Sequence, residues 1–367
     1  MLTETMKWIL IVSLSIPAFA FAQSGKRDVL NPDQLGIKEL NLEAQKTAPS
    51  TIKLPFKSIK IIDSRFDTSK IGYVPSSDIL AGKRKAFKKM VLQGGSSNAI
   101  ETYYNDYYAG SFTQSDFELL IVMKRFWLSG DAKSNNKRVE MANSVGGDNN
   151  IYCKWEYYLG KDGKYLPVKR MDTIMVIDEN LAKYIDEEFS EKREPNFKFA
   201  LKALIEILDY SIAVKQFDTQ PKKTLEEIKE FNKKMNLIPV LQDSGFKKGV
   251  YLSFDDFKNN RPSIIDFQEK KMRYGKINTN TEIYLEDMKG ETISNYWGYS
   301  DGKEFRYGML GNDKIYRIQN TFCFFIKVVG YVVSSDSQEG SGMVTTSKNK
   351  YEVWAPFQID METGEIY

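Results

Sequence analysis

The chain has no histidine among its 367 residues. That absence removes the usual general base of serine and cysteine hydrolases, the histidine-containing zinc sites and most transition-metal sites. Carboxylate chemistry, Ser-Lys chemistry or no chemistry remain. Cysteine is almost as scarce, with only Cys153 and Cys323. In an exported chain the two could be joined and so tie its halves together; otherwise they are separately buried thiols. A charge imbalance is also missing. The 52 basic residues against 49 acidic ones leave +3, so electrostatics nominate no nucleic-acid partner. Beyond the amino-terminal segment no stretch reaches the roughly 18 uninterrupted apolar residues of a membrane span. No internal repeat stands out, and no cofactor or metal site is implied.

What is present begins with a secretion signal. Lys7 precedes an apolar run from Trp8 to Phe21, and Ala20-Phe21-Ala22 has the small-x-small pattern of a signal peptidase site. Residues 1–22 are therefore expected to be removed, with translation starting at Met1 or at Met6. No cysteine follows the cleavage site, so the mature protein is expected in the periplasm or outside the cell, without a lipid anchor. Residues 23–55 lack aromatics and a sustained period and read as a flexible leader.

The rest divides near residue 245. In 56–244, a strand is expected near 57–66, and the basic segment AGKRKAFKKMVL is expected to be a helix burying Leu80, Phe87 and Val91. A second helix begins after Gly94-Gly95, with Ser97 or Asn98 as its cap. Residues 116–130 are too apolar and β-rich for a surface element and read as a central strand. Two β-rich runs meeting at Gly160-Lys161-Asp162-Gly163 predict a long hairpin. A helical block covers 180–236, with Leu201, Leu204, Ile205, Leu208 and Ile212 as its apolar stripe and Lys198, Lys202, Glu206 and Asp209 elsewhere. Residues 245–367 are β-dominated, and the Ser/Gly/Thr-rich stretch 334–348 reads as a mobile loop. The fold class expected is α+β: an N-terminal mixed sheet with packed helices, then a mostly antiparallel β domain with a short helix.

Several stretches carry candidate chemistry. In IIDSRFDTSKIGYV, strand alternation puts Asp63, Arg65 and Asp67 on the side of Ile59 and Ile61. Arginine between two aspartates is best satisfied by pairing with them, which lowers carboxylate pKa values and opposes a general-acid role. The cluster is read as structural. Asp255 and Asp256 suggest a cation, but Ser253 and Asp256 have the spacing of a capping box for a short helix ending before Pro262. The basic residues Lys83, Arg84, Lys85, Lys88 and Lys89 could face an anionic surface and more simply form a solvated helix face. Ser-x-x-Lys recurs at Ser50, Ser134, Ser244, Ser300 and Ser347, in leader, loop or turn-like sequence that argues for chance. In NYWGYSDGKEFRYG, Tyr296, Trp297 and Tyr299 precede an Asp301-Gly302 turn. Exposed, they would make a contact surface; buried, they are hairpin core.

The pattern from Ile62 to Tyr73, with GVYLSFDDFKNNRP at 249–262 and YWGYSDG at 296–302, resembles a group of uncharacterised exported two-domain proteins of the Bacteroidota. The resemblance implies export and a division into two parts, and no activity.

These readings favour a non-enzymatic exported or envelope interaction protein. Its partner, an envelope protein or a glycan, would meet the C-terminal aromatic strands. One alternative is a carboxylate-dependent glycan hydrolase with two carboxylates across a groove beside Trp297. Another is a carrier of a small apolar ligand, whose signature would be a sizeable apolar pocket between sheet and helices.

Overall fold

The computed structural model describes residues 32–42, 50, 52–75, 87–130, 149–178, 194–274, 280–308, 313–337 and 344–367. The expected signal sequence lies outside them. The fold is α+β, as the sequence predicts, with a large mixed sheet in the N-terminal part and antiparallel sheets in the C-terminal part.

The first sheet is ordered β1-β4-β3-β5-β6-β7-β8, with β2 also on β5. Its strands are β1 (Gly36–Leu40), β2 (Ile59–Asp63), β3 (Gly72–Pro75), β4 (Phe87–Leu92), β5 (Glu118–Gly130), β6 (Asn149–Lys161), β7 (Lys164–Asp178) and β8 (Lys223–Thr224). β2 runs parallel to the first half of β5, and Gly72 at the start of β3 meets Leu128 further along it. The approach at Gly72 is close: a Cβ there would sit 2.2 Å from the Leu128 carbonyl oxygen. β5 is the central strand expected, and β6 and β7 form the expected hairpin. Their turn consists of Asp162 (φ 52°) and Gly163 (φ 72°), the left-handed pair that a two-residue hairpin turn requires.

Three sequence expectations change here. The leader is not wholly irregular, since β1 pairs in parallel with β4, and Leu40, Leu42 and Leu54 join the core. The basic segment is not helical over its described part. Phe87 faces the second core while Met90 and Leu92 face the first, which is the two-residue alternation of a strand between two cores. Lys88 and Lys89 are half-buried in that strand, and Lys83, Arg84 and Lys85 lie outside the described residues. The helix α1 (Ser96–Tyr107) begins at Gly95, with no side-chain cap from Ser97 or Asn98.

The helical block contains α2 (Glu194–Glu206), α3 (Ser211–Gln216) and α4 (Leu225–Met235). α1 and α2 cover one face of the sheet. On the other face, Ile228 of α4 packs on Leu120, Val122, Tyr158 and Tyr165. A reciprocal capping box starts α4: the Glu227 amide donates to Thr224 Oγ1 at 3.1 Å, and the Thr224 amide to Glu227 Oε2 at 2.6 Å. The predicted stripe holds for Leu201, Leu204 and Ile205, which are fully buried. It fails at Ile212, 58% exposed, because α2 stops at Glu206 and Ile212 belongs to a separate helix, α3, that starts at Ser211. Lys198, expected on the outer face, is buried.

After the short α5 (Pro239–Gln242), a six-stranded antiparallel sheet has the order β17-β16-β15-β14-β13-β9. It comprises β9 (Gly249–Tyr251), β13 (Gly298–Ser300), β14 (Phe305–Tyr307), β15 (Asp313–Ile318), β16 (Thr321–Ser337) and β17 (Val344–Ile359). The expected loop at 334–348 is mostly strand, for β16 and β17 stay paired out to Ser337 and Val344. A small sheet of β10 (Phe267–Tyr274), β11 (Asn280–Asp287) and β12 (Thr292–Ile293) lies beside it. The expected short helix is α6 (Phe254–Lys258). Among the described residues no helix is long and apolar enough to cross a membrane.

The last eight residues fasten the two parts together. They fold back so that Gln358 and Tyr367 exchange backbone hydrogen bonds of 3.0 Å, and Tyr367 packs on Trp127 and Tyr152 of the first sheet. Arg125 lies 2.8 Å from Asp360, and Lys154 pairs with Glu362.

Candidate functional site

Of the cluster expected at Asp63, Arg65 and Asp67, the pair Asp63–Arg65 forms, while Asp67 takes another partner. β2 ends at Asp63, so the alternation does not carry on to Arg65 and Asp67. Arg65 grips Asp63 in a fork, Nε to Oδ1 at 2.9 Å and Nη2 to Oδ2 at 2.6 Å. Its other N–H groups go to the carbonyls of Lys70 (2.8 Å) and Phe126 (3.1 Å) and to Ser96 Oγ (2.9 Å). The guanidinium is fully used inside the fold. Asp67 pairs with Lys70 instead, and both side chains are wholly buried, with the ammonium 5.5 Å and 5.8 Å from the ring centres of Tyr73 and Trp127.

The aromatic contact surface proposed from sequence is not exposed. Trp297 is 8% and Tyr299 2% accessible, and Tyr296 is half-buried. Trp297 packs on Phe254, Phe257, Phe305 and Tyr307, while Tyr299 joins the small sheet and donates to Glu269 at 2.9 Å. In a small β domain these rings are the largest apolar surfaces available, and burial is where they stabilise most. Their turn is a four-residue loop tied by Asp301 Oδ1, which accepts from Lys303 and Glu304 amides at 2.8 Å.

Cys153 and Cys323 are not joined. Cys153 sits in the first core and Cys323 on β16 in the second sheet, each buried where it stands. Burial pushes the Cys153 thiol pKa up, which opposes reactivity. Asp256 is spent on the capping box, accepting from the amides of Leu252 and Ser253 and from Ser263 Oγ at 2.7 Å. Among the described residues no three Asp, Glu or Cys side chains converge to hold a metal.

Residues that sequence reading did not single out as a site line a groove of about 530 Å³ between β7 and the end of α2. Val168, Lys169, Met171, Thr173 and Met175 form one wall, and Ala203, Leu204, Ile207, Leu208 and Asp209 form the other. The β7 wall follows from strand geometry: residues 169, 171, 173 and 175 share a face, and Arg170 and Asp172 turn to the opposite, ion-paired face. A bulge opposite Tyr157/Tyr158 inserts Val168 as an extra residue, which brings it and Lys169 onto the groove side.

The α2 wall is held by tyrosines. At its C-terminal end, where helix carbonyls lack intrahelical donors, Tyr157 donates to the Leu204 oxygen at 2.9 Å and Tyr210 to that of Ile205 at 3.0 Å. One turn earlier Tyr104 donates to the Leu201 oxygen at 2.7 Å, and at the last residue of α2 Tyr108 donates to Glu206 Oε1 at 2.9 Å. Burial raises the pKa of all four phenols, so they remain donors throughout the ordinary pH range. The groove is thus preformed between a sheet and a pinned helix. Its apolar walls include two methionines, flexible side chains suited to fitting varied apolar shapes. Asp209 Oδ1 accepts the Ser211 amide at 2.9 Å, a bond that with nearby Lys215 holds its carboxyl below the usual range. Lys169 is exposed and makes no ion pair among the described residues.

No known protein family and no curated protein matches the chain. Among solved structures it is similar to a Xanthomonas campestris protein of the DUF330 family, at 12% identity and a TM-score of 0.31, over 50% of this chain and 99% of that one.

Proposed function

We propose that this is an exported, non-enzymatic binding protein that carries a small apolar ligand in the groove between β7 and α2. The groove itself is the observation that carries the reading: its size lies within the usual 300–1,000 Å³ of ligand sites, its walls are mainly apolar, and only a few polar groups reach it. Burial of Trp297 and Tyr299 weighs against a contact surface or a sugar platform built on those two rings. The signal-like start, with cleavage after Ala22, and the resemblance to exported proteins of the Bacteroidota support export.

The test is binding of an apolar fluorescent probe, 1-anilinonaphthalene-8-sulfonate, to the native protein and to Ala203→Trp, whose indole would fill the groove from the half-buried α2 wall. Saturable binding that Ala203→Trp removes while the fold is retained is the expected result. Equal binding by both proteins would place the probe elsewhere and refute the groove as the site.

A further inference from the structure

Lys169 and Asp209 are the charged residues of the groove lining. Tyr157 pairs with Lys169 across the sheet and bonds the Leu204 carbonyl, which sets Lys169 level with the last turn of α2, where Asp209 follows. From there the groove runs along β7 past Met171 and Thr173 to Met175, a distance of about 20 Å at the rise of an extended strand. A mainly apolar strip of strand that starts at a lysine suits an amphiphile with one straight chain.

The sign of its head turns on which of the two charged groups already has a partner. Asp209 Oδ1 already accepts the Ser211 amide at 2.9 Å. The Lys169 ammonium has no such counterpart among the described residues. An anionic head beside Lys169 completes a charge pair at the mouth of the groove; a cationic head there places two like charges together.

We propose that the groove takes a single-chain amphiphile with an anionic carboxylate head, a fatty acid in chemical class, with the head at Lys169 and the tail along Met171, Met175 and Ala203. This rests on the reading of the groove as an apolar ligand site, and it adds the nature of the head and the direction of the tail.

Three probes with one tail separate the two claims: dodecanoate, dodecanol and dodecyltrimethylammonium, each titrated calorimetrically below micelle-forming concentrations into the intact protein, Lys169→Gln and Ala203→Trp. The expected order is dodecanoate tightest and dodecyltrimethylammonium weakest. Lys169→Gln should weaken dodecanoate about three- to tenfold, as for a partly exposed charge pair, and leave dodecanol unchanged. Ala203→Trp should weaken all three. If the three probes bind alike and Lys169→Gln changes none, the carboxylate assignment is overturned while the apolar groove stands. Tightest binding by the cationic probe overturns it as well and points to Asp209. If no probe binds, or Ala203→Trp weakens none of them, the groove reading fails and the head assignment falls with it.

Discussion

At the residue scale, the charges between Asp63 and Lys70 pair within the fold. Arg65 and Asp63 were legible as a pair because an arginine two residues from an aspartate at a strand end has little else to do. The partner of Asp67 was not legible, since Lys70 reaches it only after the chain has left the strand, where alternation no longer orders side chains. This second pair is completely buried beneath Tyr73 and Trp127. Removing one member of a buried pair strands the other in a medium that cannot solvate it, at a cost of about 3–5 kcal/mol. Asp67→Asn should therefore lower the unfolding free energy by about that amount in urea titrations. A loss under about 1 kcal/mol, the usual value for exposed pairs, would mean that the site is wet.

At the element scale, legibility tracked how local the signal was. The β6–β7 hairpin was readable because Asp162-Gly163 supplies its turn from two adjacent residues. β4 was misread because lysines suggested a solvated helix, whereas its alternation serves two cores built from distant parts of the chain. The groove lining escaped notice for a related reason. Its β7 wall is visible in the sequence as alternation of Lys169, Met171, Thr173 and Met175 with Arg170, Asp172 and Ile174, but only the packing of α2 turns one of those faces into a site. The end of α2 is set by tyrosines from α1, β6 and the α2–α3 connection, none of which announces a helix anchor. Close packing also fixes how β3 joins β5. Gly72→Ala would bring a methyl group to 2.2 Å from the Leu128 oxygen, and backbone cannot yield as a side-chain tip can. That variant should lose about 1–3 kcal/mol, the ordinary cost of overpacking, measured as a fall in melting temperature and denaturation midpoint. An unchanged midpoint would mean that β3 does not sit on β5.

At the scale of the whole molecule, the C-terminal segment is the clasp between the two parts. Facing Glu362 are Lys124 and Arg125 from β5, Lys154 and Glu156 from β6, and Arg170 and Asp172 from β7, with Asp360, Glu365 and Tyr367 on the segment itself. Burial alone would raise the Glu362 pKa; the bond and charge of Lys154, with Arg125 and Lys124, outweigh it and hold the carboxyl below its ordinary value. A depressed folded-state pKa stabilises the protein fully above the unfolded value of about 4.3, and that contribution is lost as pH falls through the folded value. Native protein should thus lose more of its stability than Glu362→Gln between neutral pH and acid below about pH 4, as read from denaturation midpoints. Parallel pH profiles would show that the clasp makes no use of this charge. The groove is an open, mainly apolar feature among the described residues, and its occupation by ligand is the central claim. The most direct measurement is a methyl NMR titration with dodecanoate. Shifts confined to Met171, Met175, Ala203, Leu204, Ile207 and Leu208, with the methyls of Ile315 and Met361 in the second core unmoved, are the predicted result. Shifts centred on that second core, or none at saturating dodecanoate, would contradict the account.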